Sequence, residues 1–111
     1  FDAFVFSVNG IKACVRTEEA FRQEVFLAAL MIPAAFFVGD TGVERILLIG
    51  SVFLVLVVEL LNTAVERAID RISFEKHELS KEAKDMGSAA VLFTLILAGF
   101  VWATLLVDKF L

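Results

Sequence analysis

Three carboxylates and an amide share one helical stripe in the middle of the chain. In the segment ELLNTAVERAID these side chains are those of Glu59, Asn62, Glu66 and Asp70. At about 100° per residue they fall within a stripe roughly 80° wide. Because residues 46–58 carry no charge, Glu59 is predicted to lie about one turn inside the hydrocarbon of a membrane. An ionisable side chain at that depth is costly and usually functional.

Two kinds of chemistry suit this stripe. Glu59 is the leading candidate for a general base that acts near neutral pH, although a structural pairing with Arg67 or Lys84 is the competing interpretation. Glu66 lies two turns further along the same face, where crowded carboxylates repel unless a salt bridge or a hard divalent cation such as Mg2+ neutralises them. Glu18 could be a second metal ligand, because its helix is predicted to start at the same depth.

A second polar segment precedes the last uncharged run, residues 86–107. Lys84 and Asp85 lie about one turn before that run. A lysine there commonly fixes topology, but beside a metal-binding face it could also hold a phosphate as a point charge. Ser88 stands among small residues that favour helix packing, and it could also meet a polar headgroup. His77 is predicted to be a solvated loop residue, since no Cys/His spacing suggests zinc.

Composition indicates a membrane protein that positions these groups on helices. Of the 111 residues, 59% are hydrophobic, and the mean hydropathy is +0.86. The predicted fold is an all-α polytopic membrane protein of one domain, with three transmembrane helices after an N-terminal amphipathic surface helix. The surface helix is expected over 1–17, and the helices that contain the spans over 18–38, 43–72 and 86–107. Thr17 is predicted to be the N-cap of the second helix.

Charge placement predicts orientation and excludes some partners. Eight of the ten Lys and Arg residues lie in 1–24 and 65–86, which predicts that the N-terminus and a loop at 73–85 are cytoplasmic and the C-terminus is outside. The net charge of −4 argues against nucleic-acid binding, because no basic face is available for phosphates. Cys14 is the single cysteine, so no intramolecular disulfide can form. It is interpreted as a small apolar packing residue.

Three segments resemble the small integral-membrane diacylglycerol kinase of bacteria. They are EEAFRQE at 18–24, VELLNTAVERAIDR at 58–71 and HELSKEAKDMGSAAV at 77–91. The resemblance implies a homotrimer in the bacterial inner membrane, with three spans and a surface helix in each subunit. It also implies transfer of the γ-phosphoryl group of MgATP to the hydroxyl of diacylglycerol, which gives phosphatidic acid.

The resemblance assigns roles residue by residue. Glu59 corresponds to the base that accepts the proton of the lipid hydroxyl. Glu18 and Glu66 correspond to Mg2+ ligands. The expected nucleotide contacts are those of Glu18, Glu66, Glu75, His77, Lys84 and Asp85. The expected lipid contacts are those of Arg22, Gln23, Glu24, Glu59 and Ser88, with Asn62 and Asp70 in support. Phe6 stands where the family is expected to have a tyrosine near the nucleotide.

Three other functions remain open at this stage. An undecaprenol kinase would share the fold and the catalytic stripe. A small proton-coupled or cation transporter would use Glu59 to bind and release its ion. A non-catalytic assembly subunit would not need Glu59 at all.

Overall fold

The computed structural model describes residues 2–72 and 77–111, and these residues form helices without any strand. The helices are α1 (Asp2–Thr17), α2 (Glu19–Val38), α3 (Gly42–Ile72) and α4 (Glu78–Phe110). The predicted all-α class is therefore confirmed. Glu75, with its predicted nucleotide contact, lies outside the described residues.

Three of the helices, α2, α3 and α4, are long and apolar enough to cross a membrane. At 31 residues, α3 is about 46 Å long, which exceeds the roughly 30 Å of a hydrocarbon core. The α4 helix has the smallest share of buried residues, 11% across its most apolar window. The predicted membrane protein with three spanning helices and an additional N-terminal helix is confirmed.

The junction between α1 and α2 differs from the prediction. Thr17 ends α1 and donates its hydroxyl to the Ala13 carbonyl at 2.8 Å, while Glu18, with an extended backbone, is the N-cap of α2. The prediction that Thr17 caps α2 is wrong, because its hydroxyl already bonds to the preceding turn of its own helix. Two basic side chains, those of Arg22 and Arg67, hydrogen bond to residues of this junction.

The start of α4 also differs from the prediction. Residues 78–85 were expected to belong to a loop that ends where the uncharged run begins, but α4 begins at Glu78. His77 caps this helix, since its Nδ1 accepts a hydrogen bond from the Leu79 amide at 3.1 Å. The high density of charged residues in this segment favoured the loop prediction. They occupy the exposed face of two helical turns and do not interrupt the helix.

The antiparallel pair α3 and α4 is the most extensive helix contact in the chain. At the end of the pair nearest residues 39–41, Lys109 Nζ contacts Asp40 Oδ1 at 2.8 Å, and Trp102 Nε1 donates to the Leu48 carbonyl at 3.2 Å. Leu48 is completely buried there in a small apolar core with Ala35 and Val38. These contacts fix the register of the two helices at that end, which we call the turn end.

At the opposite end of the bundle, which we call the site end, α1 packs against α2 and α3. Cys14 and Phe21 are buried, and Cys14 Sγ lies 3.8 Å from the Thr63 hydroxyl. Burial raises the pKa of the Cys14 thiol above its usual value. The interpretation of Cys14 as a packing residue agrees with this environment.

Candidate functional site

Carboxylates from two helices converge at the site end. Glu24 on α2 and Glu59 on α3 have carboxyl groups close enough to hydrogen bond to each other. Glu18 and Glu66 lie near enough for their charges to act on Glu59. The fold therefore brings together acids that are far apart in sequence, around the one that the sequence singled out as a base.

Arg67 is the first of two basic side chains that border this cluster. Its guanidinium hydrogen bonds to Thr17, and it lies 3.8 Å from the Glu18 carboxylate. It thereby connects α3 to the α1–α2 junction. The Glu18 side chain is about one-third exposed in this contact, so the carboxylate remains accessible.

Lys84 on α4 is the second basic side chain. Its Nζ contacts Asp70 Oδ1 at 2.7 Å, and it lies within range of the charge of Glu66. The competing interpretation in which Glu59 pairs with Arg67 or Lys84 is therefore wrong, since both cations bind other acids. The neighbour of the Glu59 carboxyl group is the carboxyl group of Glu24.

Asn62 lies on the same stripe of α3 and packs against α4. A Cβ atom placed on Gly87 would lie 3.1 Å from Asn62 Cγ and closer still to Oδ1. Asn62 Oδ1 is enclosed and has no hydrogen-bond partner within the described part of the chain. The amide thus occupies space that any side chain at position 87 would fill.

A shallow groove of about 430 Å³ runs along the beginning of α2. It is lined by Arg22, Gln23, Phe26 and Leu27, which gives it a polar end and an apolar end. Arg22 Nη1 also donates to the carbonyls of Val15 at 2.9 Å and of Arg16 at 3.1 Å. The groove therefore joins two polar side chains to two apolar ones on a single helix.

Other residues predicted to contact substrates are not drawn into the carboxylate cluster. His77 is engaged as the cap of α4, and Asp85 Oδ2 accepts from Lys81 Nζ at 2.7 Å within the same helix. Ser88 is exposed on α4. Their predicted roles rest on the family resemblance and not on an observed arrangement.

The carboxylates at the site end are candidate ligands for the Mg2+ that the resemblance implies. No group of three or more His, Cys, Asp or Glu side chains in the described ranges could hold a metal by itself. Magnesium in phosphoryl-transfer sites commonly uses only one or two carboxylates, with substrate phosphates and water completing its shell. Glu18 and Glu66, which approach Glu59 from different helices, supply two hard oxygen donors of that kind. The residues therefore fit the metal together with a nucleotide.

The sequence pattern did not predict that the carboxyl groups of Glu24 and Glu59 are neighbours. One signal could have revealed them, because each residue borders an uncharged run, 25–38 in one case and 46–58 in the other. Antiparallel helices joined by a short turn place the outer borders of two such runs at a similar depth. Carboxyl groups at these borders are therefore expected to meet at the same end.

Several known proteins are similar to this chain. A family model described as "Prokaryotic diacylglycerol kinase" matches residues 5–106. A diacylglycerol kinase of Haemophilus influenzae is 52% identical over 91% of this chain and 86% of its own length. One from Pseudomonas aeruginosa is 48% identical over 91% of this chain and 82% of its own. One from Escherichia coli strain K12 is 47% identical over 95% of this chain and 86% of its own.

Proposed function

Because the chain belongs to the prokaryotic diacylglycerol kinase family, we propose that it transfers the γ-phosphoryl group of MgATP to the hydroxyl of diacylglycerol. The products are phosphatidic acid and ADP. The observation that carries this proposal is the convergence of Glu18, Glu24, Glu59 and Glu66 at the site end, beside Lys84. Phosphoryl transfer needs positioned charge more than covalent chemistry from the protein.

Glu59 acts as the general base in this reaction. Its carboxylate accepts the proton of the lipid hydroxyl as the hydroxyl oxygen bonds to the γ-phosphorus. The bond from that phosphorus to the bridging oxygen of ADP then breaks, and the electron pair leaves with ADP. Glu24 lies beside Glu59 and keeps the carboxylate oriented across the α2–α3 contact.

The two substrates approach Glu59 from different sides. The groove at Arg22 and Gln23 holds the lipid headgroup, with its chains along the apolar helix surface. Lys84 and the accessible carboxylates of Glu18 and Glu66 form the nucleotide side, where Mg2+, when bound, neutralises phosphate charge. Glu75, His77, Asp85 and Ser88 complete the proposed substrate contacts from the family resemblance.

Orientation and assembly are further parts of the proposal. We place the site end and the N-terminus on the cytoplasmic side of a bacterial inner membrane, because eight of the ten Lys and Arg residues lie in 1–24 and 65–86. A homotrimer is proposed from the family resemblance. Accessibility labelling of cysteines introduced at each end would test the orientation, and light scattering in detergent would test the trimer.

The decisive experiment is an ATP-dependent phosphorylation assay on diacylglycerol in detergent. The wild type is expected to form phosphatidic acid with Mg2+ and to lose activity when the metal is chelated. Glu59→Gln should lower turnover at least about a thousandfold, since an amide cannot accept the proton. The matched control is Glu44→Gln, on the same helix at the turn end, where the Glu44 carboxylate accepts a hydrogen bond from the Asp40 amide.

Other outcomes of the assay would point to other functions. Preference for undecaprenol over diacylglycerol would indicate the related kinase. Transport of an ion or substrate in proteoliposomes without ATP consumption would indicate a transporter. Full activity in Glu59→Gln would refute the assigned base.

A further inference from the structure

One glycine in α4 lies where the backbone of α4 meets a side chain of the acidic stripe. A Cβ atom on Gly87 would lie 3.1 Å from Asn62 Cγ, and closer to Oδ1. A Cβ atom on Gly99, in the same helix, would meet nothing within 4 Å. An added Cβ at position 87 would therefore force the Asn62 side chain to move, whereas one at position 99 would displace nothing within 4 Å.

Asn62 has acids as neighbours along its own helix. It follows Glu59 by three residues and precedes Glu66 by four, and residues at these spacings touch on a helix surface. The oxygen of its amide is enclosed against α4, so the position of the amide depends on the space at Gly87. A methyl group there would push the amide towards the carboxylates or push α4 away from α3.

Movement of α4 away from α3 would also displace residues on the proposed nucleotide-binding side. Lys84 lies one turn before Gly87 on α4, and it spans to Asp70 on α3 at 2.7 Å. The register of the two helices is fixed further along by the hydrogen bond from Trp102 to Leu48. Between these two contacts Gly87 faces Asn62, which lies three residues after Glu59 on α3.

We propose that Gly87 is a positioning residue for the phosphoryl transfer. Its missing side chain forms a seat for the Asn62 amide, and the seated amide holds the acidic face of α3 in its working geometry. Gly87 touches neither substrate and acts through Asn62. The catalytic part of this proposal rests on the proposed kinase function, while the seat itself does not.

The first test compares Gly87→Ala with Gly99→Ala in the kinase assay, normalised to folded protein. Gly87→Ala should lower kcat at least about tenfold, because a misplacement near 1 Å costs up to roughly a hundredfold. Its KM for diacylglycerol should stay within about threefold of wild type, since the lipid groove lies on α2. Gly99→Ala should stay within about twofold in both constants. A purely structural role would change the yield of folded enzyme and leave kcat unchanged, and that result would overturn the proposal.

The second test is thermal unfolding of Gly87→Ala in two backgrounds. With Asn62 present the substitution should lower Tm, and with Asn62→Ala present it should not, because the obstructing atoms are gone. If Gly87→Ala alone does not accumulate as folded protein, recovery of folded protein in the Asn62→Ala background supports the seat. Failure to recover, or an equal loss of Tm in both backgrounds, refutes it. A wild type that does not phosphorylate diacylglycerol would refute the proposed function, whereas this unfolding cycle would still test the seat.

Discussion

Two lysines one turn apart on α4 allow a test of the proposed nucleotide-binding side, because one of them serves as the control for the other. Lys84 contacts Asp70 on α3, and Lys81 contacts Asp85 on its own helix, each at 2.7 Å. The side chain of Lys84 is 40% exposed and that of Lys81 is 77% exposed. Both are surface ion pairs of the kind that contributes little to stability. Replacing either lysine by Gln should therefore leave Tm almost unchanged.

Their effects on catalysis should differ strongly. Lys84 lies within range of the charge of Glu66, where the proposed triphosphate binds. Loss of one charge-assisted contact to a phosphate corresponds to roughly a 10- to 100-fold loss in kcat/KM for ATP. Lys84→Gln should show this loss mainly as a higher KM for MgATP. Lys81→Gln should remain within about threefold of wild type.

The assay is steady-state phosphorylation of diacylglycerol in mixed micelles, with MgATP varied at saturating lipid. Each variant is compared by its Tm in the same detergent, so that unfolding is not mistaken for a kinetic defect. Equal losses in the two variants would refute a specific role for Lys84. A change confined to the KM for the lipid would contradict its placement on the nucleotide side.

Two further predictions concern packing. Trp102→Phe removes the donor to the Leu48 carbonyl and should lower the free energy of unfolding by about 1 kcal/mol. The control, Phe100→Leu, is at an exposed site on the same helix and should change Tm less. An equal change of Tm in the two variants would contradict the contribution of the hydrogen bond. Cys14 is 3% exposed and burial raises the pKa of its thiol, so little reactive thiolate exists near pH 7. Maleimide should therefore label the native protein far more slowly than protein unfolded by a denaturant. Rapid native labelling at pH 7 would show that the thiol is accessible.

The apolar runs made the overall architecture readable from the sequence. Length and hydropathy alone indicate three spanning helices, since 20 or so uncharged residues have few alternatives in a membrane. Helix ends were less predictable. Thr17 has the chemistry of an N-cap, but its hydroxyl bonds within α1. The polar start of α4 has the composition of a loop, yet its charges are compatible with two exposed helical turns.

The sequence pattern predicts which side chains of α3 share a face, and it does not predict their partners on other helices. Periodicity places Glu59, Asn62 and Glu66 on one face of α3, which requires no knowledge of other helices. The partners of Arg67 and Lys84 depend on how α2 and α4 pack against that face. The residue pattern of one helix carries no information about how other helices pack against it, so the contact between Asn62 and Gly87 was not predicted.

The surplus length of α3 has a consequence for how the two substrates meet. On the proposed orientation, α3 has one portion within the membrane and one portion in water, and Glu59 lies near the boundary between them. On the proposed reaction, the lipid reaches that boundary by lateral diffusion in two dimensions and the nucleotide reaches it from bulk solution in three. The enzyme therefore has no need to extract its acceptor from the bilayer, and its product stays in the leaflet where it forms.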